Sequence, residues 1–231
     1  MFNLPKLIGH RGVKNLSPEN TKDSIKLAKK MGLNWVEIDV KISKDLIPIL
    51  LHDDSLDRTT NGKGLPIDFE YNILRNLDAG YFFYNRNTNI FIPTLKDILI
   101  LSQKNDISLN IELKPNIGYE KENVNAIIKI IKNSNFDREY YFSSFDLNSL
   151  IIMKEHFPES KCGLLIDKFE NGCDVVHTKR TKRLGEGKIK MFLTNIGYKI
   201  INMTANINLP VQAGDFKLLS ITNFLSFTIR I

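Results

Sequence analysis

Asn34-Trp35-Val36-Glu37-Ile38-Asp39-Val40 decides the fold. Its polar and apolar residues alternate with the period of a β-strand, so Glu37 and Asp39 share one face while Val36, Ile38 and Val40 share the other. The apolar face asks for helical cover. The carboxylate face is costly inside a protein unless its charges are paired or bound to a cation.

Working outward, Lys6–Ile8 reads as a short strand ending at Gly9-His10-Arg11-Gly12. Ser17-Pro18-Glu19-Asn20-Thr21 reads as a loop whose Asn20 or Thr21 caps a helix with Ile25, Ala28 and Met31 at helical spacing and Gly32 as its stop. Downstream, Ile47–Leu51 is a third strand ending at His52-Asp53-Asp54. Residues 53–93 form a long connection with turns at Asn61-Gly62 and Asp78-Ala79-Gly80, and its aromatics (Phe69, Tyr71, Tyr81, Phe82, Phe83, Tyr84) suggest that it packs. Then come a helix over Thr94–Ser102, a strand over Ile107–Leu113 carrying Glu112, a helix over Asn123–Lys132, a strand over Tyr140–Ser143, a helix over Asp146–His156 and a strand over Cys162–Ile166.

Repeated strand–helix units imply an α/β fold with a parallel sheet. Periodicity alone fits a barrel or a doubly wound sheet. His10, Glu37, Asp39, His52 and Glu112 all fall at or near strand C-terminal ends, where a parallel barrel builds its site, and this favours the TIM-like (β/α) barrel. Three hard oxygen donors, Glu37, Asp39 and Glu112, suit Mg²⁺ or Ca²⁺; the alternative is a set of structural salt bridges with Arg11, Lys41 and Lys114. His10 and His52, two of the four histidines, can share acid and base duty beside a metal, or be ordinary loop histidines. Arg11 and Lys114 supply cations for an anionic phosphorus centre.

In order, His10-Arg11-Gly12, Pro18-Glu19-Asn20-Thr21, Glu37-x-Asp39, His52-Asp53 and Glu112-x-Lys114 resemble the motif set of the glycerophosphodiester phosphodiesterases. Asp57-Arg58-Thr59-Thr60-x-Gly62-x-Gly64 resembles that family's insertion after its second histidine, and Ser143-Ser144-Phe145-Asp146 its fifth strand end. The resemblance spans about residues 5–167. It implies a TIM-like barrel and a Mg²⁺- or Ca²⁺-dependent enzyme that cleaves a small-molecule glycerophosphodiester to glycerol 3-phosphate and an alcohol. It also implies that Glu37, Asp39 and Glu112 hold the metal, that His10 and His52 are the acid/base pair, and that Arg11 and Lys114 bind phosphate. In that family the substrate's own glycerol hydroxyl attacks phosphorus, and water opens the resulting cyclic phosphate. Glu19 and Asn20 are expected to support the first loop, with no catalytic step.

A (β/α)₈ barrel typically needs ~250 residues, and this chain has 231. About six units are read by Ile166, so the barrel is expected to be incomplete after the sixth strand, with a truncated barrel over 1–168 and a separate basic segment over 169–231. Residues 169–231 hold nine Lys or Arg against four Asp or Glu, a balance of +5, so residues 1–168 hold 23 against 22 and carry +1 of the net +6. Asp174-Val175-Val176 and Leu209-Pro210 to Leu219, with the basic loop between them, resemble a fragment (about 171–219) of a polyprenyl-phosphate glycosyltransferase. The alternative is a divergent barrel end, with Val175-Val176 and either Ile200-Ile201 or Phe216–Leu219 as strands. An open barrel would leave sheet edges that invite a swapped homo-oligomer, and a catalytically inactive remnant is the rival to an active enzyme.

The composition, 42% hydrophobic and 25% charged, excludes disordered and collagen-like chains. No apolar run approaches the ~20 residues of a transmembrane segment. The start MFNLPKLIGHRG lacks the pattern of a secretory signal, and two cysteines, Cys162 and Cys173, make no disulfide framework, so a cytoplasmic protein is expected. The run Lys179–Arg183 lacks interleaved aromatics, and nucleic acid is not expected as a partner.

Overall fold

The computed structural model describes Pro5, residues 7–166 and the backbone of Leu219–Ser220. The expected seam at 168/169, the Asp174-Val175-Val176 segment, the basic run and Cys173 lie outside the described residues.

The first helix, α1 (Lys22–Lys30), starts where Thr21 accepts a hydrogen bond from the Ser24 amide, satisfying one of the free donors of the first turn. It buries Ile25 and Ala28 and leads into β1 (Trp35–Ile42), every residue of which is buried. β2 (Pro48–Leu50) follows a tight turn in which Leu46 is left-handed (φ 60°) and Ser43 binds Asp45 and Ile47. Next come a 3₁₀ turn (Pro66–Asp68), two single-turn helices α2 (Tyr71–Leu74) and α3 (Tyr81–Tyr84), and α4 (Leu95–Lys104) behind a Thr94/Asp97 capping box. The chain continues through β3 (Ser108–Leu113), α5 (Glu120–Lys132), β4 (Tyr140–Ser144), α6 (Leu147–His156), capped by Asp146, and β5 (Cys162–Ile166). The two-residue β6 (Leu219–Ser220) pairs in parallel with Leu165 and Ile166, so the sheet continues past β5.

The strand order is β2-β1-β3-β4-β5-β6, and every pair is parallel except β1–β2. Two expectations are corrected here. Ile47–Leu51 is not a parallel barrel strand: the turn from Ser43 to Ile47 is too short for a crossover, so β2 folds back antiparallel, with Val40 opposite Leu50. The expected first strand is reduced to a single parallel bridge between Gly9 and Val36, because the chain turns away at His10; of its residues, Lys6 lies outside those described.

The alternation of β1 sorts two environments. Val36, Ile38 and Val40 join Ile25, Ile98, Ile111, Ile127 and Leu150 in the main core between sheet and helices. Trp35, Glu37, Asp39 and Lys41 share the opposite face, where register builds cross-strand rows: Glu37 beside Asn110 and Tyr141, then Asp39 beside Glu112 and Ser143. Trp35 and Tyr141 pack with ring centroids 5.6 Å apart beneath these rows. The long connection does pack: Ile49, Leu51, Leu56, Leu74, Ala79 and Ile92 form a second core, with Phe69 and Tyr71 against it. Phe82, Phe83 and Tyr84, expected to join it, are exposed.

Candidate active site

Two chain segments reach the same edge of β1 from opposite directions. Gly9 arrives parallel to it, donating to Trp35 O at 3.0 Å and accepting from the Glu37 amide at 2.8 Å; Gly12 then donates to Glu37 O. β2 arrives antiparallel, and Leu51 donates to Asp39 O at 3.2 Å. His10 and His52 are the residues at which these segments leave β1. The turn at His10 requires its glycines. A Cβ on Gly9 would lie 2.2 Å from Gly12 O, and one on Gly12 (φ +80°) would lie 2.3 Å from Ser24 Oγ.

Between the two segments, the Asp39 amide would have no backbone partner. Asn20 fills the gap: its Oδ1 accepts from Asp39 N at 3.1 Å and its Nδ2 donates to Asp39 Oδ2 at 2.8 Å. Asn20 (φ 57°) and Arg11 (φ 51°) are both left-handed, a conformation that costs a non-glycine residue roughly 1–2 kcal/mol and that concentrates at functional sites. For Arg11 the result is triple use. Its amide donates to Glu37 Oε2 at 2.8 Å, its Nε lies 3.2 Å from Asp39 Oδ2, and its Nη1 donates to Glu19 Oε1 at 2.7 Å.

Glu37, Asp39 and Glu112 are all buried, and their carboxylate oxygens lie within 4.8 Å of one another, the one such acidic group among the described residues. Lys114 Nζ donates to Glu112 Oε1 at 2.8 Å and lies 3.2 Å from Asp39 Oδ1. The expected alternative partner Lys41 does not join them; it pairs with Asp54 at 3.0 Å and reaches Lys114 O at 3.3 Å. Burial alone would raise Asp39, but Lys114 and Arg11 hold its carboxyl well below the usual range. The other two lack enough compensation: burial and the neighbouring carboxylates push Glu37 well up, and burial pushes Glu112 up to about 7 despite Lys114. Glu37 Oε1 is buried with no hydrogen-bond donor among the described residues. An orphaned oxygen in a crowded, all-oxygen carboxylate group fits a hard dication such as Mg²⁺ or Ca²⁺.

The histidines flank this group. His10 Nε2 lies 3.8 Å from Glu37 Oε2, and burial, then the Arg11 charge, lowers its pKa to about 3. His52 Nδ1 meets Asp53 Oδ1 at 2.6 Å; burial lowers His52, while the charge of Asp39 and the bond to Asp53 oppose the shift. With Nδ1–H given to Asp53, Nε2 is the ring nitrogen that Asp53 does not engage.

The structure therefore brings together all seven residues singled out from sequence. It also shows what that reading missed. Glu19 supports the first loop as expected, by holding Arg11, but the direct grip of Asn20 on Asp39 and the reach of Arg58 to both Asp53 and Glu19 were not read. Arg58 stood in the sequence within the Asp57-Arg58-Thr59-Thr60 motif, but its partners did not, since a contact across a loop leaves no period to read.

Fold and site together define an α/β protein of the TIM-barrel type with an acidic, cation-ready cluster. Residues 10–189 match the model of the glycerophosphoryl diester phosphodiesterase family, and the chain belongs to that family. The match extends beyond residue 167, across the expected seam, and the glycosyltransferase resemblance gains no support from it. A glycerophosphodiester phosphodiesterase of Caldanaerobacter subterraneus subsp. tengcongensis is 38% identical over 159 residues, covering 69% of this chain and 65% of the relative. One from Bacillus altitudinis is 32% identical over 176 residues, covering 75% and 69%. The chain thus spans about two thirds of the length of these relatives. Among solved structures, a phosphodiesterase of Oleispira antarctica in complex with the product sn-glycerol-3-phosphate superposes with TM-score 0.69 at 36% identity, covering 78% of this chain and 71% of that one. A Thermotoga maritima glycerophosphodiester phosphodiesterase gives 0.53 at 27%, covering 82% and 72%.

Proposed function

We propose that this protein hydrolyses glycerophosphodiesters to glycerol 3-phosphate and an alcohol with the help of a divalent cation. The observation that carries the reading is the buried Glu37/Asp39/Glu112 group, with its orphaned oxygen, set between His10 and His52. Family membership and the product-bound relative support it.

Glu37, Asp39 and Glu112 would hold Mg²⁺ or Ca²⁺, which neutralises non-bridging phosphate oxygens and lowers the pKa of an attacking hydroxyl. Arg11 and Lys114 bind the phosphate, the first as a planar fork and the second as a point charge. His10 and His52 divide the proton traffic. One takes the proton of the substrate's glycerol hydroxyl as that oxygen attacks phosphorus; the other gives a proton to the departing alcohol oxygen. The roles reverse when water opens the cyclic phosphate. Asp53 holds His52 in the tautomer this requires and stabilises its imidazolium. Among the residues singled out for the site none is a Ser, Thr or Cys, which suits a route in which the substrate supplies its own hydroxyl.

The test is release of glycerol 3-phosphate from glycerophosphoethanolamine. We expect release that chelator abolishes, that added Mg²⁺ or Ca²⁺ restores, and that Glu37→Ala removes. No release by well-folded protein, or release indifferent to both chelator and the substitution, would sink the reading.

A further inference from the structure

Arg58 has no part in the mechanism above, yet it is the most heavily engaged side chain around it. Its Nε and Nη2 donate to Asp53 Oδ2 and Oδ1 at 2.5 and 3.0 Å, and its Nη1 and Nη2 donate to Glu19 Oε2 and Oε1 at 2.9 and 2.7 Å. One guanidinium thus grips two carboxylates through both oxygens of each. Both carboxylates face onward into the site: Asp53 to His52, and Glu19 to Arg11. The result is a chain of alternating charge from Asp53 through Arg58, Glu19 and Arg11 to Asp39.

The two ends of this chain lie on different loops. Asp53 follows β2 and carries the His52 contact; Glu19 precedes α1 and holds the loop of His10 and Arg11. Each loop is pinned to β1 by few backbone bonds, and Asp53 is 25% exposed, so its own rotamer needs fixing. A bidentate fork fixes the plane of a carboxylate as well as its position. We propose that Arg58 is a positioning residue that locks the His52–Asp53 pair against the His10–Arg11 loop, setting the spacing of the two histidines without touching substrate. The inference rests on the reading that His10 and His52 share proton transfer. Its energetic point is that misplacement of a catalytic group by about 1 Å can cost 10²-fold in rate.

The experiment uses the full chain with Mg²⁺ and glycerophosphoethanolamine. For Arg58→Met we expect kcat to fall about 10- to 100-fold, with KM and the Mg²⁺-induced rise in Tm unchanged. Arg58→Lys keeps the charge but not the fork, and should stay closer to Arg58→Met than to wild type. The double variant Arg58→Met/Asp53→Asn should be no slower than Asp53→Asn, because the residues act in series. The downfield proton resonance of His52 Nδ1–H, expected in wild type, should exchange-broaden in Arg58→Met. Wild-type kcat in Arg58→Met, a raised KM with unchanged kcat, multiplicative losses in the double variant, or loss of cooperative melting in both single variants would each overturn the proposal. An inactive wild type would refute the enzymatic reading instead, and the His52 resonance would then still decide whether Arg58 fixes the pair.

Discussion

Asp39 shows how one residue can be held from every side. Its amide and one carboxylate oxygen go to Asn20, its carbonyl to Leu51, and its charge to Arg11 and Lys114. Outer-shell partners of metal ligands typically contribute 10- to 100-fold in metal affinity. Asn20→Ala should therefore weaken Mg²⁺ binding by about tenfold in calorimetric titration; unchanged affinity would mean that Asp39 is placed by β1 alone. The Asp53–Arg58–Glu19 cluster carries a pH signature. Opposed by burial, Arg58 and His52 lower Asp53 to about 2, and Arg58 and Arg11 lower Glu19. Groups with depressed folded-state pKa values stabilise the fold above their unfolded values, about 3.9 for Asp and 4.3 for Glu, and lose that contribution as pH falls through the folded ones. In urea titrations the stability gap between wild type and Arg58→Met should hold from pH 7 to about 5 and close toward pH 2. The carboxylate pair Glu37-x-Asp39 was legible in the sequence because a strand's period of two is local. The grips of Asn20 and Arg58 were not, because they depend on where separate loops meet.

At the scale of elements, β1 bears most of the burden. Its even residues anchor the main core, and Ile38 is fully buried there. Ile38→Ala should cost about 2–5 kcal/mol by lost transfer energy plus a cavity, read as a lower urea midpoint with unchanged m-value. Three helix starts were legible, since Thr21, Thr94 and Asp146 each cap where the pattern places a start, whereas α5 begins at Glu120, ahead of the expected Asn123, with no side-chain cap to announce it. Strand positions were legible too, but not strand direction. Ile47–Leu51 is apolar whether it runs parallel or antiparallel, and only the short Ser43–Ile47 turn distinguishes the two. The exposed Phe82-Phe83-Tyr84 run makes the same point, since aromatic content reports what a segment could bury and not what lies opposite it.

For the whole molecule, the acidic group is a store of unfavourable energy when no cation is bound. Its crowded carboxylates, two of them pushed toward the neutral form, oppose folding, and the proposed dication would relieve that opposition. A dication that binds only the folded state stabilises it by about 2.7 kcal/mol at a hundred times its Kd. Tm should therefore climb with Mg²⁺ or Ca²⁺ concentration, and Glu37→Ala should abolish the climb; a wild-type Tm indifferent to both ions would argue against a metal site. Among the described residues, no helix is long and apolar enough to cross a membrane.

The edge of β1 shared by Gly9 and β2 has a consequence for how this architecture tolerates change. Two half-strands and one asparagine side chain together occupy a single berth in the sheet, so the histidine positions are indexed to the rungs of β1 rather than to the lengths of the connections that follow them. Outside Arg58 and the residues of the second core, the connection over 55–93 can then change in length or shape while the two histidines keep their register. The placement of His10 and His52 is in this sense written in hydrogen-bond spacing along β1.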